Sequence, residues 1–225
     1  YDLSMFLYGD MKGDCMQPTS WSGGRQGYSF YFFDHTASVP NNGGLWGRPY
    51  YIVRNAFNVI KAIDDGKVNA TQAELANYRG EALAAIALCY FDLTRLYGYP
   101  YAKDNGASPG VPLLDHAIGY GETSTRSSVA ECYEYIINKL KEAIPLLSNS
   151  RNDGHLNSYA ARALLARTYL YCGMNKEAFG TADMLINDLK STGLYYLVDN
   201  AHYADMYAWG NKFGAEALFQ ISNTA

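Results

Sequence analysis

Residues 157–190 read NSYAARALLARTYLYCGMNKEAFGTADMLINDLK, and this stretch decides the fold class. Its spacing predicts a helix over Asn157–Tyr171 and a second over Asn175–Lys190, with only Cys172-Gly173-Met174 between them. A three-residue break of this kind is a tight turn between antiparallel helices. Ala166, Ala178 and Ala182 are the small residues that let two helix backbones cross closely.

Working outward, apolar residues recur at Val53, Phe57, Ile60 and Ile63 over 46–63, the spacing of one helix face. Pro49 suits the first turn of that helix, and Asp64-Asp65-Gly66 stops it. Thr71-x-x-Glu74 is a capping box that opens a second helix, striped by Leu83, Ile86, Tyr90, Leu93 and Tyr97 and ended by Gly98 and Pro100. Ser128-Val129-Ala130-Glu131 is another capping box, followed by a stripe of Val129, Tyr133, Ile136, Leu140, Ile144 and Leu147. Between these helices, 99–125 is rich in Pro and Gly and reads as a loop, extended around Val111-Pro112-Leu113. Residues 1–45 are Gly-, Ser- and aromatic-rich, with Trp21 to Asn42 a long irregular loop, and the tail 191–225 is less regular. No alternation of strand and helix points to a parallel sheet. The expectation is an all-α fold of antiparallel helical hairpins with long irregular loops, organised as a single domain over 1–225: loop segment 1–45, hairpin 46–98, loop 99–125, helices 126–190, tail 191–225.

Composition narrows the classes. The chain has 225 residues, 48% hydrophobic and 18% charged, enough to bury a core without disulfides or metals. Eighteen Lys and Arg against 22 Asp and Glu give a net charge of −4, without the basic excess of a nucleic-acid binder. The longest apolar run, Ala82 to Phe91, is about half the length a bilayer-spanning helix requires. Cys15, Cys89, Cys132 and Cys172 contain no C-x-x-C pair, and three of them fall on apolar helix faces, where a free thiol packs as a small hydrophobe. His35, His116, His155 and His202 are scattered singly, without ligand spacing.

The 157–190 hairpin matches part of the tetratricopeptide pattern: Leu165, small Ala166, then Tyr169, with small Ala178 nine residues further on. Arg162 in the tryptophan slot, Ala182 in place of the second aromatic and the missing terminal proline depart from it. The order of segments is more specific. Trp46-x-x-x-Tyr50 is followed by Glu81-Ala82-Leu83, then Cys89-Tyr90-Phe91-Asp92-Leu93-Thr94-Arg95-Leu96-Tyr97-Gly98 and Pro109-Gly110-Val111-Pro112-Leu113. The helix start Arg126-Ser127-Ser128-Val129 and the run Ala160-Ala161-x-Ala163-Leu164-Leu165-Ala166-Arg167-x-Tyr169-Leu170 complete it. This succession resembles the N-terminal region of the SusD/RagB family of outer-membrane nutrient-binding lipoproteins, from about Trp46 to Ile221. The resemblance implies a tetratricopeptide-like scaffold, a lipid anchor outside this stretch, a cell-surface location on the outer membrane, and capture of oligosaccharides for a SusC-like TonB-dependent transporter. It also implies a longer protein, of which this chain is the N-terminal domain and whose C-terminal half is absent here.

Catalytic patterns are weak. Gly106-Ala107-Ser108-Pro109-Gly110 has the letters of a nucleophile elbow, but Pro109 lacks the N–H that an oxyanion hole needs there. Asp64 and Asp65 are adjacent on a turn and point apart, unlike the carboxyl pair of a glycosidase. No cofactor is expected; Asp10 and Asp14, beside Gly9 and Gly13, offer carboxylates to a Ca²⁺ but lack the spacing of a calcium loop.

Carbohydrate capture asks for flat aromatic faces with polar neighbours. Trp21 to Tyr28 supplies both, and Asn41, Asn42 and Trp46 form a second cluster. The expected glycan surface is Trp21, Arg25, Tyr28 and Trp46, in a chain that binds rather than catalyses; a helical-repeat scaffold for protein partners, without sugar binding, is the alternative.

Overall fold

The computed structural model describes residues 9–13, 16–18, 28–34, 43–151, 154–207 and 214–220. The chain divides into two compact units, Tyr1–Tyr51 and Ile52–Ala225. Helices are a short α1 (Tyr28–Tyr31), α2 (Gly43–Asp64), α3 (Gln72–Tyr97), α4 (Val129–Ala143), α5 (Ser158–Tyr171) and α6 (Asn175–Thr192), with 3-10 turns at Tyr101–Lys103, Ile144–Leu146 and Ala204–Tyr207. Two short strands, β1 (Pro109–Pro112) and β2 (Arg126–Ser128), pair antiparallel with an irregular register. Among the described residues, no helix is long and apolar enough to cross a membrane.

The chain is mostly helical, as expected. Both capping boxes are present: the Thr71 and Ser128 hydroxyls accept from the amides of Glu74 and Glu131, whose carboxylates bond back to the cap amides. Asn157 caps α5 by accepting from the Ala160 amide at 2.9 Å. The stop after α2 is a Schellman turn, in which Lys67 N–H bonds Ala62 O, Gly66 N–H bonds Ile63 O, and Gly66 takes φ +67°.

Three local expectations are corrected. Pro49 lies inside α2, not in its first turn, because the helix already begins at Gly43. Part of the loop expected over Trp21–Asn42 is helical, at α1. The segment 109–128 contains a β-ladder: prolines at both ends of a four-residue strand hide it from periodicity.

In the second unit α3 is the central element, and Ala82, Leu83, Ile86, Ala87, Tyr90, Phe91 and Leu93 are all buried. A helix enclosed on this many sides is packed by neighbours all round. It packs most extensively on α4, through Cys132, Tyr133, Ile136, Ile137 and Leu140, and β1 lies against both helices. The chain continues as α4 on α5 and α5 on α6, with Ala178 buried and Ala166 and Ala182 half-buried. The last hairpin closes on a small cluster of Tyr159, Leu185 and Tyr195. The Tyr195 hydroxyl accepts from Asn157 Nδ2 at 2.8 Å, so a buried amide is satisfied where the tail returns.

Helices α3 and α4 both hold Leu114, the residue that follows the segment 109–113. The Tyr90 hydroxyl accepts from Leu114 N–H at 2.9 Å, and the Tyr135 hydroxyl donates to Leu114 O at 2.7 Å. Their rings meet edge to face, with centroids 5.3 Å apart. A Cβ on Gly110 would lie 2.7 Å from Cys132 Sγ, so only glycine lets β1 approach α4 this closely. The Cys132 thiol in turn bridges the N–H and C=O of Val111.

Candidate functional site

In the first unit, α1 is a single turn whose end is unusual. Phe33 N–H bonds Phe30 O and Asp34 N–H bonds Ser29 O, the closure that normally places glycine in the left-handed position. Here Phe33 occupies it, at φ +56°. A bulky aromatic residue is rare in that region, and backbone strain of this kind concentrates at binding sites. Phe30 faces inward and is fully buried, whereas Phe32 and Phe33 are each 64% exposed.

Tyr28 is half-buried at the start of α1, its ring 5.8 Å from that of Phe32. Tyr31 meets Phe32 edge to face at 5.1 Å. Lys12 Nζ lies 5.9 Å from the Phe33 ring centroid, a cation beside an exposed aromatic face. Trp46 sits one turn inside α2, half-buried, with its ring 5.2 Å from Tyr50 at the next turn. Tyr51 adds a largely exposed ring beyond it. Tyr28 and Trp46 thus both fall in the first unit, while Trp21 and Arg25 lie outside the described residues. Sequence reasoning missed Phe32 and Phe33. The available signal was three aromatics in succession after Tyr28-Ser29-Phe30, too many for one helix face to bury.

The catalytic look-alikes resolve into structural roles. Ser108 hydroxyl donates to Asp104, and its carbonyl accepts from Val129 N–H at the start of α4. Gly106, at φ +78°, accepts at its carbonyl from Ala130 N–H. The Gly-x-Ser-x-Gly letters therefore form a loop that closes onto a helix N-terminus. Asp64 pairs with Arg79, and Asp65 with Lys67 at 2.8 Å and Lys61 at 3.1 Å. Lys67 first, then Lys61, hold the Asp65 carboxyl below its ordinary range, the opposite of what a general acid needs. Among the described residues no three His, Cys, Asp or Glu side chains are grouped to hold a metal ion; Asp14 of the calcium expectation lies outside them.

The second unit carries a different surface. On α6, Phe179 and Ile186, two turns apart, are exposed, while Ala178 and Leu185 face inward. Ile186 continues into an apolar groove of about 570 Å³ with Leu189, Tyr195, Tyr196, Leu197 and Leu218.

Comparison with known proteins now decides the family. A family model described as "Starch-binding associating with outer membrane", of the SusD-like kind, matches residues 8–170. The chain belongs to the SusD-like family. A SusD superfamily protein of Bacteroides vulgatus, solved by crystallography, superposes with a TM-score of 0.92 at 48% identity, over 99% of this SusD-like chain and 50% of its own. Another from Bacteroides thetaiotaomicron gives a TM-score of 0.80 at 33% identity, over 87% of this chain and 42% of its own. A curated SusD-like protein of Bacteroides ovatus is 27% identical over 203 residues, which are 85% of this chain and 35% of that protein. The chain thus spans half or less of the length of these relatives.

Proposed function

We propose that this chain is the N-terminal part of a non-catalytic, cell-surface lipoprotein that captures oligosaccharides for import through a SusC-like TonB-dependent transporter. The observation that carries this reading is the outward display of Phe32 and Phe33 from a strained turn beside Tyr28 and Lys12. A sugar ring offers an apolar C–H face and a rim of hydroxyls, and exposed rings with a nearby cation suit both. The family's description as starch-binding and associated with the outer membrane supports the ligand class and the location. The proposed glycan surface comprises Trp21, Arg25, Tyr28 and Trp46, to which the geometry adds Phe32 and Phe33. No cofactor takes part in it.

Calorimetric titration of the full-length protein with a panel of starch- and β-glucan-derived oligosaccharides tests this. Tyr28→Ala, Phe32→Ala and Trp46→Ala are each expected to weaken binding about tenfold, some 1.4 kcal/mol. Affinity for every glycan unchanged in all three variants would refute the assignment.

The second reading, a helical scaffold for protein partners, draws on the exposed Phe179 and Ile186 and the groove beside them. The surfaces the two readings draw on lie in different units of the chain, so each can be tested by itself. A scaffold alone would show no sugar preference in the same titrations.

A further inference from the structure

Between β1 and β2 the chain makes an excursion over 113–125 whose base is tied to the helices. Leu114 bonds the Tyr90 and Tyr135 hydroxyls, and Ser124 hydroxyl donates to Leu113 O at 3.2 Å. Further out, Glu122 N–H bonds Gly119 O at 3.4 Å, Gly121 takes φ +82°, and Tyr120 stands fully in solvent. One side chain joins the two sides of this turn. His116 Nδ1 lies 2.6 Å from Asp115 Oδ1 and Nε2 lies 3.0 Å from Glu122 Oε2, the oxygen that also accepts Gly119 N–H at 3.0 Å.

An ionised carboxylate only accepts hydrogen bonds. Two ring nitrogens, each on a carboxylate oxygen, therefore both need a proton, which is the imidazolium. A neutral ring keeps a single N–H, and its other nitrogen then sets a lone pair against a carboxylate. We propose that His116 is a proton-operated clasp: the imidazolium ties Asp115 to Glu122 and orders the turn bearing Tyr120, and loss of the proton releases it.

The charged and titratable groups around the ring act in one sense. Asp115 and then Glu122 raise the His116 pKa above its ordinary value. His116 in turn holds the Asp115 carboxyl low, while the Gly119 amide, then His116, do so for Glu122. From α4, the Lys139 ammonium acts on Asp115 in the same direction, and burial raises the Tyr135 hydroxyl so that it stays neutral. A histidine whose pKa is raised on folding contributes fully below its unfolded value of about 6.5, and the contribution disappears as pH rises through the folded value. The depressed carboxylates contribute above their unfolded values, and that contribution disappears as pH falls through the folded ones. The turn is therefore most ordered in a mildly acidic window, roughly pH 4.5 to 6.5.

NMR of the full chain tests this by following the His116 ring and the amide exchange of Gly119 across roughly pH 4 to 9. His116 should titrate above its ordinary value, and Gly119 protection, corrected for intrinsic exchange, should fall with the same midpoint while Leu114 protection stays constant. Glu122→Gln should bring the His116 midpoint down, and His116→Gln should remove the alkaline-side fall in Gly119 protection, leaving only the acid-side loss that comes with protonation of Glu122. An ordinary His116 midpoint, or Gly119 protection indifferent to both substitutions, would overturn the proposal.

Discussion

Phe91 and Phe33 are the same side chain in opposite employment. Phe91, on α3, is 1% exposed, meets Tyr171 edge to face at 5.0 Å, and has the Arg95 guanidinium 5.7 Å from its ring centroid. Phe33, in the first unit, sits where glycine belongs and turns most of its surface to water. In the second unit, three tyrosine hydroxyls are taken up by neighbours, Tyr90 and Tyr135 by Leu114 and Tyr195 by Asn157. In the first, adjacent phenylalanines without any polar handle face outward. An aromatic-rich composition therefore does not describe one core. It divides into rings that close the helical scaffold and rings that face solvent.

That division can be broken from either side. Phe91→Ala should have the largest effect, about 3–5 kcal/mol of lost stability by chemical denaturation, because it leaves a cavity beside the central helix. Gly110→Val should cost about 1–3 kcal/mol, since the new side chain collides with the Cys132 thiol and the Ser127 carbonyl. Phe33→Gly should leave stability unchanged or raise it by up to about 1 kcal/mol through relief of the left-handed conformation, while weakening glycan binding about tenfold. A Phe33→Gly variant as unstable as Phe91→Ala would place that ring in a core and erase the contrast.

The five long helices, α2 to α6, were legible because their ends carry local signals, whereas the single turn α1 was not. Capping boxes at Thr71 and Ser128, a glycine stop at Gly66 and a tight turn at Cys172-Gly173-Met174 all act within a few residues of chain. Pro49 misled because its own local signal, a first-turn preference, was overridden by the six residues from Gly43 to Arg48 adopting helix ahead of it. The β1–β2 ladder was invisible for a related reason: four- and three-residue strands carry no readable alternation, and what holds them is contact with Cys132 and Tyr90, distant in sequence. At the candidate site, Tyr28 and Trp46 were readable as aromatics in glycine-rich surroundings. Phe33 was not, since a left-handed phenylalanine runs against the residue preference that sequence reasoning relies on.

The thiols have a consequence of their own. Cys89, Cys132 and Cys172 are all buried and unpaired, and burial raises each above the usual thiol range, Cys89 to about 12. Oxidants attack thiolate, and these sulfurs stay protonated behind packed carbon. These three thiols are thereby poor partners for oxidants or for one another, a protection that comes from where the sulfur is stored rather than from disulfide bonding; Cys15 lies outside the described residues.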